Sequence, residues 1–488
     1  MLKSKSLSFN FLVFSIRTII VSFAPLIVFP YVSRILGAEG IGKVQFIQSI
    51  ASYFQLFATF GITTYGIREG SFLRDDPESL KKLTLELIII NAITTFFALF
   101  GYALAVCFLD SSKYWDLALI FSLYILFYGI NFDWYYNVHE SYIYITIRTI
   151  AGYLVSFAIV FLGVRNNMDT NIYACSIVIP YAVNFFVNGF EIFKKEGYTA
   201  YKNLSFKKHL IPLLLIFSTV VSSSIYLLLD TTMLGILNGD KTVGYYTAAS
   251  KLCRFGVQGI TTVFTVFTPR LGYYIGKNKT QEFTRLGTFL GEVTLFIAVP
   301  LCFVLIAFSD QAIVFFSGKE YLPASPALRI LSINLVFSAF DGFLGWQILV
   351  PNGKEKCLFF GTVVGCGVDL LLNAILIPHL GLNGAAIATL VTEIMVFSIC
   401  FFASRKYLLL NQMGKEFLKI LVASFPIFIL HWGIISARNL SINLIQTILF
   451  ALSLCILYIC ILLLEKSEVI SMLFKAVLSK IQKYELDE

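Results

Sequence analysis

The stretch from Gly244 to Leu271 reads GYYTAASKLCRFGVQGITTVFTVFTPRL, apolar enough for a bilayer yet carrying Lys251 and Arg254. On a helix, Thr247, Lys251, Arg254, Gln258, Thr261 and Thr265 fall at alternating helical spacings and share one face. Leu252, Phe255, Val263 and Phe267 take the opposite face. A charge at the centre of a membrane helix costs about 2.5–3.5 kcal/mol on insertion scales. Two on one face require that face to meet water, protein or an anion. The chemistry open to such a stripe is electrostatic. Arg can grip phosphate oxygens through two parallel hydrogen bonds, and Lys can add a point charge.

Other ionisable residues inside apolar runs are candidates on the same ground. Arg17 lies early in the first run, ahead of Pro25 and Pro30, which should kink or end that helix. Arg148 lies near one edge of the fifth run. Each either lines a polar interior or makes a structural ion pair. The second run has its own polar stripe of Gln45, Gln48, Ser52, Gln55 and Thr59, from which Ser52 and Gln55 join the candidate lining. Among the acids, Asp230 shares a face with Thr219, Ser223 and Tyr226. Asp341 shares one with Asn334, Ser338 and Gly345, and Asp369 one with Thr362, Cys366 and Asn373. Glu393 lies in the middle of a run. These four acids could carry a coupling proton or bind Na⁺, or they could neutralise Lys251 and Arg254. Asp133 and Glu140 flank the end of the fourth run and read as solvated. The neighbouring Trp134, Tyr135 and Tyr136 read as belt aromatics, with stacking on sugar rings as the other reading.

The elements that must position these groups are membrane helices. The 488 residues are 58% hydrophobic and 14% charged, with a mean hydropathy of +0.81, which no soluble domain shows. Apolar runs long enough to cross about 30 Å of hydrocarbon recur throughout. The spacing predicts fourteen spans, near 11–33, 41–65, 83–109, 115–138, 141–164, 170–192, 209–236, 243–270, 285–308, 324–350, 355–378, 382–404, 416–436 and 442–464. The span at 41–65 is the least hydrophobic. The first run is too long for a signal peptide and lacks a small-residue cleavage site, so it counts as a span.

Counting Lys and Arg by side puts 25 on the side of both termini and 8 on the other, with Arg17, Arg148, Lys251 and Arg254 left inside spans. The bias makes both termini cytoplasmic. It also accounts for the net charge of +8 without nucleic-acid binding. The nine Cys form no Cys-x-x-Cys pair and the four His no metal spacing, so neither disulfide nor metal nor cofactor is expected. No hydrolase elbow, zinc motif or phosphate loop is present; GILNGDKT at Gly235 lacks the Gly-Lys adjacency of the last. The reading is therefore not an enzyme, and transport would draw on a gradient or the membrane potential.

The chain also repeats itself weakly. Shifting residues 42–68 by 202 places Gly42 on Gly244, Ser52 on Arg254 and Arg68 on Arg270. Spans 1–6 and 7–12 then form parallel repeats about an axis along the membrane normal. The expected organisation is an N-terminal lobe at 1–192, a cytoplasmic linker at 193–208, a second lobe at 209–404 and an additional helix pair at 405–465. A tail at 466–488 follows, with Ile470, Leu473, Phe474, Val477, Leu478 and Ile481 on one apolar face suited to the inner leaflet.

Two stretches carry a resemblance. YVSRILGAEGIGKVQF from Tyr31, followed by FGITTYGIREGS from Phe60, and LLNAILIPHLGLNGAAIATLVTE from Leu371 resemble the Wzx-type O-antigen flippases. These are polysaccharide transporters of the multidrug/oligosaccharidyl-lipid/polysaccharide exporter superfamily. The resemblance implies an all-helical protein of about fourteen spans. It also implies alternating access that moves an undecaprenyl-pyrophosphate-linked oligosaccharide from the inner to the outer leaflet of a bacterial inner membrane. It implies a cation-lined cavity between two six-helix lobes, with Arg17, Lys251 and Arg254 at matching positions, and a lipid-tail groove at spans 13–14. Partners so implied are the lipid-linked oligosaccharide, membrane lipids, H⁺ or Na⁺, and other polysaccharide-assembly membrane proteins. The competing readings are a multidrug/cation antiporter of the same superfamily, disfavoured by the extra helix pair and basic stripe, and a polysaccharide polymerase or ligase, disfavoured by short outer loops.

Overall fold

The computed structural model describes residues 7–109, 111–196, 204–431, 444–465 and 467–471, and all regular structure among them is helical. The chain divides into two compact units, Met1–Thr247 and Ala248–Glu488.

The first unit contains α1 (Leu7–Thr59), α2 (Ile62–Phe72), α3 (Pro77–Cys107), α4 (Ser111–Gly129), α5 (Asp133–Val138), α6 (Tyr142–Gly163), α7 (Thr170–Glu196), α8 (Lys207–Asn238) and the start of α9 (Asp240–Gly276). α1 holds the first two expected spans and breaks at Gly37, where φ is 68° and ψ is 179°. Only glycine takes such a conformation without strain. Pro25 and Pro30, expected to kink or end the first helix, do not end it; both lie within α1. Neighbouring helices can re-satisfy the backbone group a proline frees in a membrane bundle.

Past the break, α1 is the hub of this unit. Ala38, Ile41, Val44, Ile47 and Ala51 are buried there, and α1 as a whole packs on α3, α4, α6, α7 and α8. A helix wrapped by protein can house more polar side chains than one facing lipid, which accounts for the low hydrophobicity of the expected span at 41–65. That span is also two helices, because Phe60 and Gly61 both take positive φ, 44° and 73°, and separate α1 from α2. α8, expected at the head of the second lobe, packs on α1 and α2 within this first unit.

The second unit contains the rest of α9, then α10 (Thr280–Ala307), α11 (Ser309–Ser317), α12 (Ser325–Gly342), α13 (Glu355–Leu380), α14 (Leu382–Ser404), α15 (Leu410–His431) and α16 (Leu444–Leu464). A π-helical stretch, Phe343–Leu349, continues α12. α14 packs on α12 and α13, α10 on α12 and α15, and α15 on α16.

Among the described residues, nine helical stretches are long and apolar enough to cross a membrane, and the first of them, 20–72, contains two of the expected spans. α8, α9, α15 and α16 occupy the other four expected positions. α9 owes its lower hydropathy to Lys251, Arg254 and the amides and hydroxyls around them. Of the expected tail face, Ile470 is buried. Leu473, Phe474, Val477, Leu478 and Ile481 lie outside the described residues.

Candidate functional site

The charged centre of the first unit is assembled on Asp133, the first residue of the six-residue α5. Its backbone N–H donates to Asn131 Oδ1 at 2.7 Å, and its carbonyl accepts from Asn137 Nδ2 at 2.7 Å. Those bonds fix the turn and aim the carboxylate inward. Asp133 Oδ1 accepts from Arg148 Nη2 at 2.5 Å and from Asn188 Nδ2 at 3.3 Å. Asp133 Oδ2 accepts from Arg17 Nη2 at 3.2 Å. Helices α1, α5, α6 and α7 thus meet at one carboxylate.

The two arginines are held differently. The Arg148 side chain is 4% exposed, donates to Asn188 Oδ1 as well as Asp133, and lies 5.6 Å from the Tyr144 ring and 6.0 Å from that of Tyr136. This is an enclosed ion pair, and the lining role expected of Arg148 as an alternative has no surface to act through. The Arg17 side chain is 22% exposed. Its Nε is buried without a hydrogen-bond partner among the described residues. The two guanidiniums share the one Asp133 carboxylate.

Asp133 was expected to be solvated and is buried, because the second arginine needs a counter-charge inside the bundle. Glu140 is exposed and pairs with Arg74 at 2.7 Å. Trp134, Tyr135 and Tyr136 form neither an interfacial belt nor a sugar platform. All three are buried in one apolar cluster with Tyr65, Leu87 and Ile145, since α5 turns its aromatics into the bundle. Asp133 and Asn188 were missed as site residues. The available signal was an acid 15 positions before an intramembrane arginine, across a short turn.

A second buried network joins α2, α3 and the start of α8. Tyr65 Oη lies 2.7 Å from His209 Nδ1, and His209 Nε2 lies 2.8 Å from Glu86 Oε2. Lys208 Nζ reaches the same Glu86 oxygen at 3.0 Å, and the Ser205 N–H donates to Glu86 Oε1 at 2.7 Å. His209 is buried beside the apolar cluster, where Glu86 offers it a charged acceptor.

On α1, Gln55 is buried and Ser52 half-buried, with the Ser52 hydroxyl donating to the Gln48 carbonyl at 2.8 Å. Asp230 is buried and its Oδ2 accepts from the Tyr246 hydroxyl. The side chains of Thr219, Ser223 and Tyr226, expected to share its face, lie outside the described residues.

In the second unit, α9 carries Lys251 and Gln258 half-buried and Arg254 exposed, one helical turn apart in succession. Thr261 is half-buried, and the Thr265 side chain lies outside the described residues. Three acids, Asp341, Asp369 and Glu393, sit on α12, α13 and α14 of the same unit. The Thr392 hydroxyl donates to Asp369 Oδ1 at 3.4 Å, and the Ser338 hydroxyl to Glu393 Oε1 at 3.5 Å. Asp341 keeps one oxygen buried without a hydrogen bond among the described residues, with Cys400 beside it. Among the described residues no group of three or more His, Cys, Asp or Glu could hold a metal ion.

The described residues form an all-helical fold that places paired and exposed cations inside apolar helices. Residues 7–274 match the family described as polysaccharide biosynthesis protein, and residues 215–375 match MatE. The first match covers more than half of the chain, and the chain belongs to the polysaccharide biosynthesis protein family, within the superfamily that holds the Wzx-type flippases. It is similar to a candidate O-antigen transporter of Shigella dysenteriae, with 23% identity over 76% of this chain and 93% of the relative. It is likewise similar to one of Escherichia coli, with 24% identity over 77% of this chain and 91% of the relative. A candidate low-salt glycan biosynthesis flippase of Haloferax volcanii shares 25% identity over 34% of each chain. Among solved structures, the lipid II flippase MurJ in an inward closed conformation has the same fold, with a TM-score of 0.71, 18% identity, and coverage of 92% of this chain and 98% of that one. An inward-facing multidrug transporter of the MATE family matches with a TM-score of 0.57 and 12% identity over 82% of this chain and 98% of its own.

Proposed function

We propose that this protein moves an undecaprenyl-pyrophosphate-linked oligosaccharide from the inner to the outer leaflet of a bacterial inner membrane by alternating access. The observation that carries the reading is the exposed Arg254 beside half-buried Lys251 on one face of α9. An arginine exposed in mid-helix does not face hydrocarbon without a large cost, so its face meets water or an anion. A pyrophosphate with a hydrated glycan is the ligand such a face suits, while the prenyl chain stays in lipid. Gln258 supplies neutral polar lining on the same face, and Arg17 and Ser52 are further candidate lining residues on the first unit. The α15–α16 pair as a groove for the lipid tail and cytoplasmic termini complete the proposal.

Transport in this reading is driven by an ion gradient or by the membrane potential, with at least one of Asp230, Asp341 and Asp369 exchanging H⁺ or Na⁺ and Glu393 as a lower-ranked candidate. The relatives named as O-antigen transporters and a glycan flippase support the substrate class. The test is complementation of a panel of strains, each lacking one lipid-linked oligosaccharide flippase. Restored surface glycan in a strain that a MATE-type drug exporter does not restore supports the reading. Drug resistance with no glycan restored in any strain overturns it.

A further inference from the structure

We propose that Asp133 is a built-in counter-anion that holds Arg17 until a diphosphate headgroup displaces it, so that Asp133 sets the minimum charge a substrate must bring. The proposal rests on the reading of a diphosphate-linked substrate above.

The argument is the asymmetry of one carboxylate. Asp133 Oδ1 is committed to the enclosed side of the network, with Arg148 at 2.5 Å and Asn188 at 3.3 Å. Oδ2 faces Arg17 alone among the described contacts, at 3.2 Å. Arg148 cannot leave without stranding a 4% exposed guanidinium, and Asn188 grips it from α7. Arg17 is more than five times as exposed and spends one terminal N–H on Asp133. A guanidinium has five N–H donors in a fork that matches two phosphate oxygens; Arg17 and Arg148 each keep a buried Nε without an acceptor among the described residues, and it is the greater exposure of Arg17 that separates them. The exchangeable bond in the network is therefore Arg17–Asp133.

Competition follows. A neutral or singly charged headgroup must replace a full carboxylate at Arg17 and gains little. A diphosphate offers more charge and more oxygens than Asp133 Oδ2, and it leaves Asp133 still neutralised by Arg148. Asp133 acts through Arg17 and is a positioning residue in this scheme.

The experiment uses the full chain in nanodiscs and reads ligand-dependent thermal stabilisation with inorganic pyrophosphate, inorganic phosphate and undecaprenyl pyrophosphate. Asp133→Asn removes the competing charge. Its affinity for inorganic pyrophosphate and for undecaprenyl pyrophosphate should rise about tenfold or more. Its preference for pyrophosphate over phosphate should shrink, and adding Arg17→Gln should abolish the gain. Because Asp133→Asn leaves Arg148 less well compensated, Asp133→Asn/Arg148→Gln is measured beside it and should show the same gain. Equal pyrophosphate affinity in wild type and both variants overturns the counter-anion role and leaves the proposed function standing. No stabilisation of any variant by pyrophosphate or the lipid overturns both. A gain with inorganic pyrophosphate that the lipid does not reproduce overturns the headgroup assignment.

Discussion

Gly42 and Gly244 meet in a reciprocal crossing. A Cβ built on Gly42 would fall 1.7 Å from the Asp240 carbonyl oxygen, and one built on Gly244 would fall 1.9 Å from the Ala38 carbonyl oxygen. Adding 202 to 42 gives 244, and adding 202 to 38 gives 240. The two contacts are one contact seen from either side, as in a two-fold interface. The weak repeat in the sequence is therefore realised locally as backbone-to-backbone packing between the second half of α1 and the start of α9. Either glycine replaced by alanine forces the helices apart. Gly42→Ala and Gly244→Ala should each lower stability by about 1–3 kcal/mol, the range for overpacking, read as the unfolding midpoint in detergent. Wild-type stability in both variants would remove the crossing from the account.

The cationic face of α9 predicts a graded series. Arg254→Ala should lose most glycan export while the protein still inserts, and Arg254→Lys should keep part of it, because a point charge replaces a two-pronged grip. Lys251→Arg should be mild and Lys251→Glu severe. Protein level and export are measured together. Normal export by a well-expressed Lys251→Ala/Arg254→Ala variant would dismiss the anion-holding role.

Glu86, His209 and Tyr65 form a chain that pins the start of α8 onto α3 and α2. His209→Ala leaves a buried carboxylate short of a donor, at a cost of about 1–3 kcal/mol. Hydrogen exchange should rise first at the beginning of α8, with α6 and α7 protected as before. Uniform loss of protection instead would mean that the chain stabilises the whole unit rather than this joint.

Neutralising the acids tests coupling. A protein carrying Asp230→Asn, Asp341→Asn and Asp369→Asn should transport without dependence on an imposed H⁺ or Na⁺ gradient in proteoliposomes. Retained dependence would assign the three a structural role.

Reporter fusions test the side assignment. Fusions after Glu39, Asp240 and Lys319 should read as outside, and those after Lys195, Lys279 and Lys406 as inside. An outside signal at Lys279 contradicts the proposed orientation.

Most of the helical architecture was legible because a membrane span is a composition signal: about 20 apolar residues suffice to announce one. The breaks were less legible. Pro25 and Pro30 carry the stronger local signal, yet the break falls at Gly37, where a positive φ is a property of the packed bundle. The intramembrane cations were legible one at a time, since each violates the apolar rule. Their partners were not. Asp133 sits at a run edge where an acid needs no explanation, and only the fold brings it to Arg17, 116 residues earlier. The same holds for Trp134, Tyr135 and Tyr136, whose position near a span end matches a belt until α5 turns them inward.

The sequence distances within the Asp133 network set an order of events during synthesis. Arg148 lies 15 residues after its acid, so a single helical hairpin leaving the translocon can carry both charges as a neutral pair. Arg17 is made 116 residues before Asp133. At about 5–20 residues per second, that is roughly 6–23 s in which the first helix holds an uncompensated guanidinium. During that interval the nascent first helix has reason to stay beside the insertion machinery or at the lipid headgroups, and it gains a stable place in the bundle only when the fourth and fifth spans deliver its carboxylate.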